Sequence, residues 1–246
     1  LNQRKFKCPK PLKNTNGNII NTIKKKKAVI ISFIEGEKID FANINECVEV
    51  GKMIGNLHNL TMNFDQRREN SLGITEWKNL FNECKKNGRQ EFDQIINDLE
   101  KEIEFIEKSW PKNLPSGVIH ADLFKDNIFF DGEKISGVID FYFSCYHFFI
   151  YDLCIVINDL CFKNKGTIFD QNLLRVIING YEVKRNLEHI EFNHLNVVLR
   201  IAAVRILVTR IHDYVFHPDN AVVVKKDPYE YYNILKWHQI NEKVYL

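Results

Sequence analysis

The sequence predicts an α+β chain of two unequal parts, a short strand-bearing front (residues 1–36) and a larger, mainly helical remainder (37–246). Three observations predict it. Two runs rich in β-branched residues, Ile19–Ile23 and Ala28–Ile34, flank a polar stretch near the front, as in a hairpin. Apolar residues recur at helical spacing over most of the remainder. Between Gly117 and Ile139 the texture changes to short apolar runs divided by polar residues, the mark of small strands.

Taken in order, Lys24–Lys27 is the solvated turn of the first hairpin, and Glu35-Gly36 ends its second strand. From Ile44 to Leu60, Cys47, Val50, Ile54 and Leu57 make one apolar helix face, with Asn43 or Asn45 available as its cap. A shorter helix around Trp77–Cys84 precedes one carrying Phe92, Ile95, Ile96, Leu99, Ile103 and Ile106, which Trp110-Pro111 ends. The strand runs Gly117–Ile119, Ile128–Phe130 and Ile135–Ile139 follow, with Asp131-Gly132 as a hairpin turn. Helices are predicted over Phe149–Phe162, Asn172–Val183, Leu195–Phe216 and Pro228–Lys243, broken by Gly166, Gly180 and Pro218.

Composition narrows the function. The chain has 246 residues, 45% of them hydrophobic, enough for one or two cores. With 34 basic against 32 acidic residues the net charge is +2, too small and too dispersed for a general nucleic-acid surface. The six cysteines show no CxxC pair or Cys/His cluster, so they read as core residues of a protein in a reducing cytoplasm. No signal-peptide pattern opens the chain, and Asp152 and Asp159 interrupt its most apolar stretch, Phe141–Phe162. A soluble protein without a membrane or nucleic-acid partner is expected.

The chemistry lies in Gly117–Phe143, which holds His120-Ala121-Asp122, then Asn127, then Asp140-Phe141. Phosphoryl transfer from ATP passes through a loose transition state, so a protein mainly positions groups and neutralises charge. Asp122 suits the orienting of an acceptor hydroxyl; Asn127 and Asp140 suit the binding of Mg²⁺. An HxDxxxxN loop followed by a hairpin returns the second Asp beside the Asn, so both oxygen ligands can share a hard cation. His and Asp two residues apart would alone be a weak signal; the complete pattern is far more specific.

His120-Ala121-Asp122-Leu123-Phe124, Asp126-Asn127 and Ile139–Phe143 resemble the aminoglycoside-phosphotransferase and choline-kinase superfamily. Within it the chain is most similar to the homoserine-kinase family, on LPSGVIHADLF, Tyr151-Asp152-Leu153, Ile206–Tyr214 and Val222–Tyr231. The resemblance runs from about Cys8 to the end. It implies a protein-kinase-like two-lobe fold with a truncated small amino-terminal lobe and a mainly helical carboxy-terminal lobe. It also implies transfer of the ATP γ-phosphate to L-homoserine, on the route to threonine.

Carried over by resemblance, Asp122 is the catalytic residue, Asn127 and Asp140 bind Mg²⁺, and the Ser32 carbonyl and Ile34 amide meet the adenine edge. His120 and Asp152 brace the catalytic loop. Arg205 and Arg210 are candidates for gripping the homoserine carboxylate, since Arg binds carboxylates through two parallel hydrogen bonds. Surface ion pairs are their competing role.

The chain departs from the family in two places. Lys125 stands where related kinases usually have Pro or another uncharged residue, a change expected to loosen the loop. The family's phosphate-covering loop and strand Lys are expected ahead of Cys8, and no Gly-rich loop occurs upstream of Ile19. Lys5 and Lys7 are poor substitutes, because that Lys must emerge from a fixed strand. Three explanations stand open: a chain without its true start, a separately encoded lobe, or an inactive kinase relic. Another small alcohol such as choline, ethanolamine or an aminoglycoside is the alternative acceptor.

Overall fold

A computed structural model describes residues 1–38, 43–87, 90–217 and 225–242. At the front, β1 (Ile20–Ile23) and β2 (Lys26–Val29) pair antiparallel, with Ile23 opposite Lys26. Lys24 and Lys25 close the hairpin with φ of 48° and 66°, a left-handed pair whose twist suits the flanking strands. The basic run is therefore half turn and half strand. The second strand also stops earlier than Ala28–Ile34 suggests. Leu12 donates its N–H to the Ile30 carbonyl and Ser32 to that of Lys10, each at 2.9 Å. Residues 30–32 thus pair with the preceding segment instead of extending the hairpin. β3 (Glu37–Lys38) is a separate strand.

α1 (Ile44–Thr61) begins at a reciprocal cap: the Asn43 side chain accepts the Glu46 N–H at 2.9 Å, and the Glu46 carboxylate accepts the Asn43 N–H at 3.0 Å. α2 (Ile74–Asn87) and α3 (Asp93–Lys108) follow. The small strands are β4 (Ser116–Ile119), β5 (Ile128–Asp131), β6 (Lys134–Val138) and β7 (Cys145–Phe148). β5 and β6 form the predicted hairpin, β3 pairs with β5, and β4 pairs antiparallel with β7. β7 reads in sequence as part of one long apolar run, and only its pairing with distant β4 separates it from the helix behind it.

The rest comprises α4 (Phe149–Leu160), β8 (Phe162–Lys163), β9 (Ile168–Phe169), α5 (Gln171–Glu182), α6 (His189–Asn193), α7 (Leu195–Val215) and α8 (Pro228–Ile240). Pro218, Val222–Val224 and Lys243 lie outside the described residues. Gly180, expected to break a helix, lies inside α5. A Cβ there would sit 2.4 Å from the Val48 carbonyl oxygen, and one on Gly51 2.2 Å from that of Ile177. α1 and α5 therefore cross at backbone contact, which only residues without a side chain permit.

α7 runs through the core, buried along most of its length, including Arg200, Arg205 and Arg210. The first residues are tied to the larger part. Arg4 donates to the Leu60 carbonyl at 2.7 Å, near the carboxyl end of α1, where a cation complements the helix dipole. Phe6 is buried, and the Lys7 carbonyl accepts the Val138 N–H at 2.9 Å. The Ile34 side chain lies over Gly137 of β6, where a Cβ would come within 2.8 Å of it.

All six cysteines are free, and five are buried. Burial pushes the thiols of Cys47, Cys84 and Cys145 up to about 12, in keeping with their reading as core residues. Among the described residues no helix is long and apolar enough to cross a membrane.

The helix crossing gives a first prediction. Gly51→Ala forces α1 off the Ile177 carbonyl and should cost about 2 kcal/mol or more, read as a lower urea midpoint at unchanged m-value.

Candidate active site

The loop between β4 and β5 is shaped by a buried carboxylate. Asp152, in the first turn of α4 and 0% exposed, accepts the His120 N–H on Oδ2 and the Ala121 N–H on Oδ1, each at 2.7 Å. Between them they hold Ala121 at φ 65°, a left-handed conformation that a non-glycine residue adopts only under constraint. Asp122 follows at once and is turned out of the β4 direction. His120 braces the other side: its Nε2–H donates to the Ile139 carbonyl at 2.8 Å, and its Nδ1 accepts the Asp122 N–H at 3.2 Å.

Asp152 is itself held by a chain of hydrogen bonds that sequence reasoning missed. His58 of α1 meets its Oδ2 through Nε2 at 3.2 Å, and His58 Nδ1 meets the Tyr181 hydroxyl of α5 at 2.8 Å. Arg185 donates to that hydroxyl oxygen at 2.9 Å and pairs with Glu191 through both η nitrogens. Burial lowers the pKa of His58, and a neutral imidazole satisfies both contacts: Nε2–H donates to Asp152, and Nδ1 accepts from Tyr181. The available signal was a His on the buried face of α1, next to Leu57.

Asn127 ends the loop in a 3₁₀ turn, Lys125–Asn127. Its Nδ2 donates to the Asp122 carbonyl at 2.8 Å, and its own carbonyl accepts the Ile139 N–H at 3.0 Å. Ile128 pairs with Val138, so Asn127 faces Ile139 across the hairpin and Asp140 is the next residue along. Asp140 is exposed and also left-handed, at φ 64°. Its charge reaches Asp122, whose pKa it helps to raise. With Nδ2 engaged, Asn127 keeps its Oδ1, and no side chain among the described residues pairs with the Asp140 carboxylate. These two hard oxygen donors fit a small divalent cation.

Asp122 is partly buried, and that burial raises its pKa, opposed mainly by Arg205. Both η nitrogens of Arg205 donate to Asp122 Oδ1 at 3.2 Å. Oδ2 has no partner among the described residues. Arg210 lies farther along α7, donating to Glu230 at 2.6 Å and to the Asp227 carbonyl at 3.0 Å. The structure thus brings Asp122, Asn127, Asp140 and Arg205 together, while Arg210 fastens the start of α8. Ser32 accepts the Lys10 N–H on its hydroxyl at 2.9 Å. Its carbonyl and the Ile34 amide have no partner among the described residues. The Lys7 ammonium donates to the Ile135 carbonyl at 2.6 Å.

Lys125 corrects the expectation of a loosened loop. Its backbone N–H, which a proline would lack, donates to Asp159 Oδ2 at 2.7 Å. Lys226 meets Asp126 at 3.2 Å. α4 therefore holds the loop twice, through Asp152 at its start and Asp159 near its end. Desolvation pushes the Asp159 carboxyl up to about 6.

Two predictions follow from these anchors. Asp152→Ala strands two buried N–H groups and should lower stability by about 3 kcal/mol, read by denaturant unfolding. Asp159 has a folded pKa above its ordinary 3.8, so the folded state keeps a proton that the unfolded chain has lost between that value and about 6. Its contribution to stability must fall as pH rises through this window. Asp159→Asn keeps an acceptor for Lys125 but does not titrate. The stability of wild type minus variant should decline across the window in paired unfolding curves; a flat difference would contradict the shift.

Known proteins resemble this chain throughout. The profile of the phosphotransferase enzyme family matches residues 1–187. A homoserine kinase of Parvibaculum lavamentivorans is 38% identical over 239 residues, 97% of this chain and 74% of that protein. The homoserine kinase of Bartonella henselae is 38% identical over 242 residues, 98% of this chain and 73% of that protein. Among solved structures, an amicoumacin kinase in complex with AMP-PNP and Ca²⁺ superposes with a TM-score of 0.70 at 14% identity, covering 99% of this chain and 73% of its own. A spectinomycin phosphotransferase in complex with ADP and spectinomycin gives 0.67 at 12% identity, covering 97% and 78%. At those identities the solved structures show a shared fold, mainly helical with small sheets, of the kind the sequence predicts.

Proposed function

Because the chain belongs to the phosphotransferase enzyme family, we propose that it transfers the γ-phosphoryl group of ATP to the hydroxyl of L-homoserine, giving O-phospho-L-homoserine and ADP. The observation that carries the mechanism is the convergence of Asp122, Asn127 and Asp140 on one loop and hairpin. The acceptor is supported by relatives named homoserine kinase that are similar over nearly the whole chain.

In this reading the acceptor hydroxyl donates its hydrogen bond to Asp122 Oδ2, which aims an oxygen lone pair at the γ-phosphorus. The new P–O bond forms as the bond to the ADP oxygen breaks, and the hydroxyl proton passes to Asp122. The loose transition state demands little proton removal before cleavage, so orientation is the main contribution of the carboxylate. Asn127 Oδ1 and the Asp140 carboxylate would hold Mg²⁺. When bound, the metal draws charge from the phosphate oxygens. The Ser32 carbonyl and Ile34 amide, one acceptor and one donor on the half-buried irregular segment before β3, are the groups an adenine edge requires. Residues 1–36 then serve as the remnant of the nucleotide-side lobe and the hinge, and 37–246 as the catalytic lobe.

The test is ATP consumption by the purified chain with Mg²⁺ and L-homoserine, beside a panel of choline, ethanolamine and an aminoglycoside. Homoserine-dependent turnover is expected; turnover with choline alone would overturn the acceptor. Asp122→Asn should lower kcat by about 10² to 10⁴-fold with the fold intact by circular dichroism. Asp140→Asn should raise the Mg²⁺ concentration needed for half-maximal rate, which a role in folding alone would not do.

A further inference from the structure

Arg205 and Asp122 lie 83 residues apart in sequence and meet at the centre of the site. The guanidinium is 6% exposed and places two N–H groups on a single oxygen of the carboxylate, Oδ1, at 3.2 Å each. It also lies 5.5 Å from the Phe143 ring, whose face favours a cation at that range. Backbone position is covered elsewhere: Asp152 holds the peptides of residues 120 and 121, and Asn127 the carbonyl of 122. None of those contacts reaches the Asp122 side chain. Arg205 is its one side-chain partner among the described residues.

We propose that Arg205 is a positioning residue for Asp122, which fixes the carboxylate rotamer by occupying Oδ1 and so leaves Oδ2 facing the acceptor hydroxyl. This rests on the reading of Asp122 given above. It sets Arg205 apart from a carboxylate grip for homoserine. A guanidinium 6% exposed with both η nitrogens on Asp122 would have to abandon a partly desolvated carboxylate to take up the substrate's own. That exchange leaves Asp122 unpaired at the moment its geometry is needed, and breaking such a pair is costly. The planar fork accounts for Arg at this position: a Lys ammonium is a single point charge and sets no plane.

The two roles differ in kinetics. A grip acts on substrate binding, and its loss raises KM for homoserine while leaving the decarboxylated analogue of homoserine untouched. A positioning residue acts on the transition state, and its loss lowers kcat for both alcohols alike. We expect Arg205→Met to lower kcat by about 100-fold, the scale on which small misplacements act. KM for homoserine and the preference for homoserine over its decarboxylated analogue should stay within about threefold, and Arg205→Lys should recover part of the loss. A raised KM with kcat preserved, a selective loss on homoserine, or no kinetic change would each overturn the proposal. If Arg205→Met does not fold, Arg205→Lys is read by the same split.

A second measurement needs no acceptor. Melting temperatures of Asp122→Asn, Arg205→Met and the double variant form a cycle. The single shifts should not sum to the double, because either single change strands the other group. Additive shifts would overturn the ion pair itself. Should the wild type phosphorylate a different alcohol, the acceptor reading fails while this cycle and the same kinetic split, run on that alcohol, still decide Arg205.

Discussion

The architecture of the site depends on one carboxylate that never meets solvent. Asp152 accepts three hydrogen bonds, two from successive peptides of the β4–β5 loop and one from His58. A carboxylate buried at this depth is tolerable only when its lone pairs are met. The backbone at Ala121 would leave its left-handed conformation without such a constraint. Each condition answers the other: the buried carboxylate needs the N–H groups, and the strained peptide needs the carboxylate. α4 is thereby fixed to the loop, and the β5–β6 hairpin follows through Ile139, which touches both His120 and Asn127.

How much of this was legible in the sequence depended on how far apart the interacting residues lie. Asp122, Asn127 and Asp140 fall within 19 residues, and a loop plus a two-residue turn joins them with little freedom, so spacing reported their meeting. The principal helices were legible because their apolar faces repeat. His58 was not, because its partners Asp152 and Tyr181 lie 94 and 123 residues away, and a lone His on a buried face has no pattern of its own. Gly180 misled for a related reason. Its purpose is the passage of Val48, which no local rule contains. Lys125 misled because side-chain chemistry drew attention away from the backbone N–H, the group that matters there.

α7 explains how one helix serves three regions. Arg200, Arg205 and Arg210 recur every five residues, and each step of five turns the direction by about 140° around a helix. Arg200 pairs with Glu102 of α3 through two contacts of 2.7 Å, Arg205 with Asp122, and Arg210 with Glu230 of α8. The helix is a central axis whose cations register the elements around it.

The chain from Asp152 through His58, Tyr181 and Arg185 to Glu191 is closed to water, with Arg185 its most exposed member at 7%. Surface pairs such as Lys78–Glu107, each partner more than 40% exposed, weaken as mobile ions gather around them. Mobile ions have no access to the interior chain, and the histidine within it carries no charge to be screened. The geometry of the β4–β5 loop is thereby insulated from the ionic strength of its surroundings.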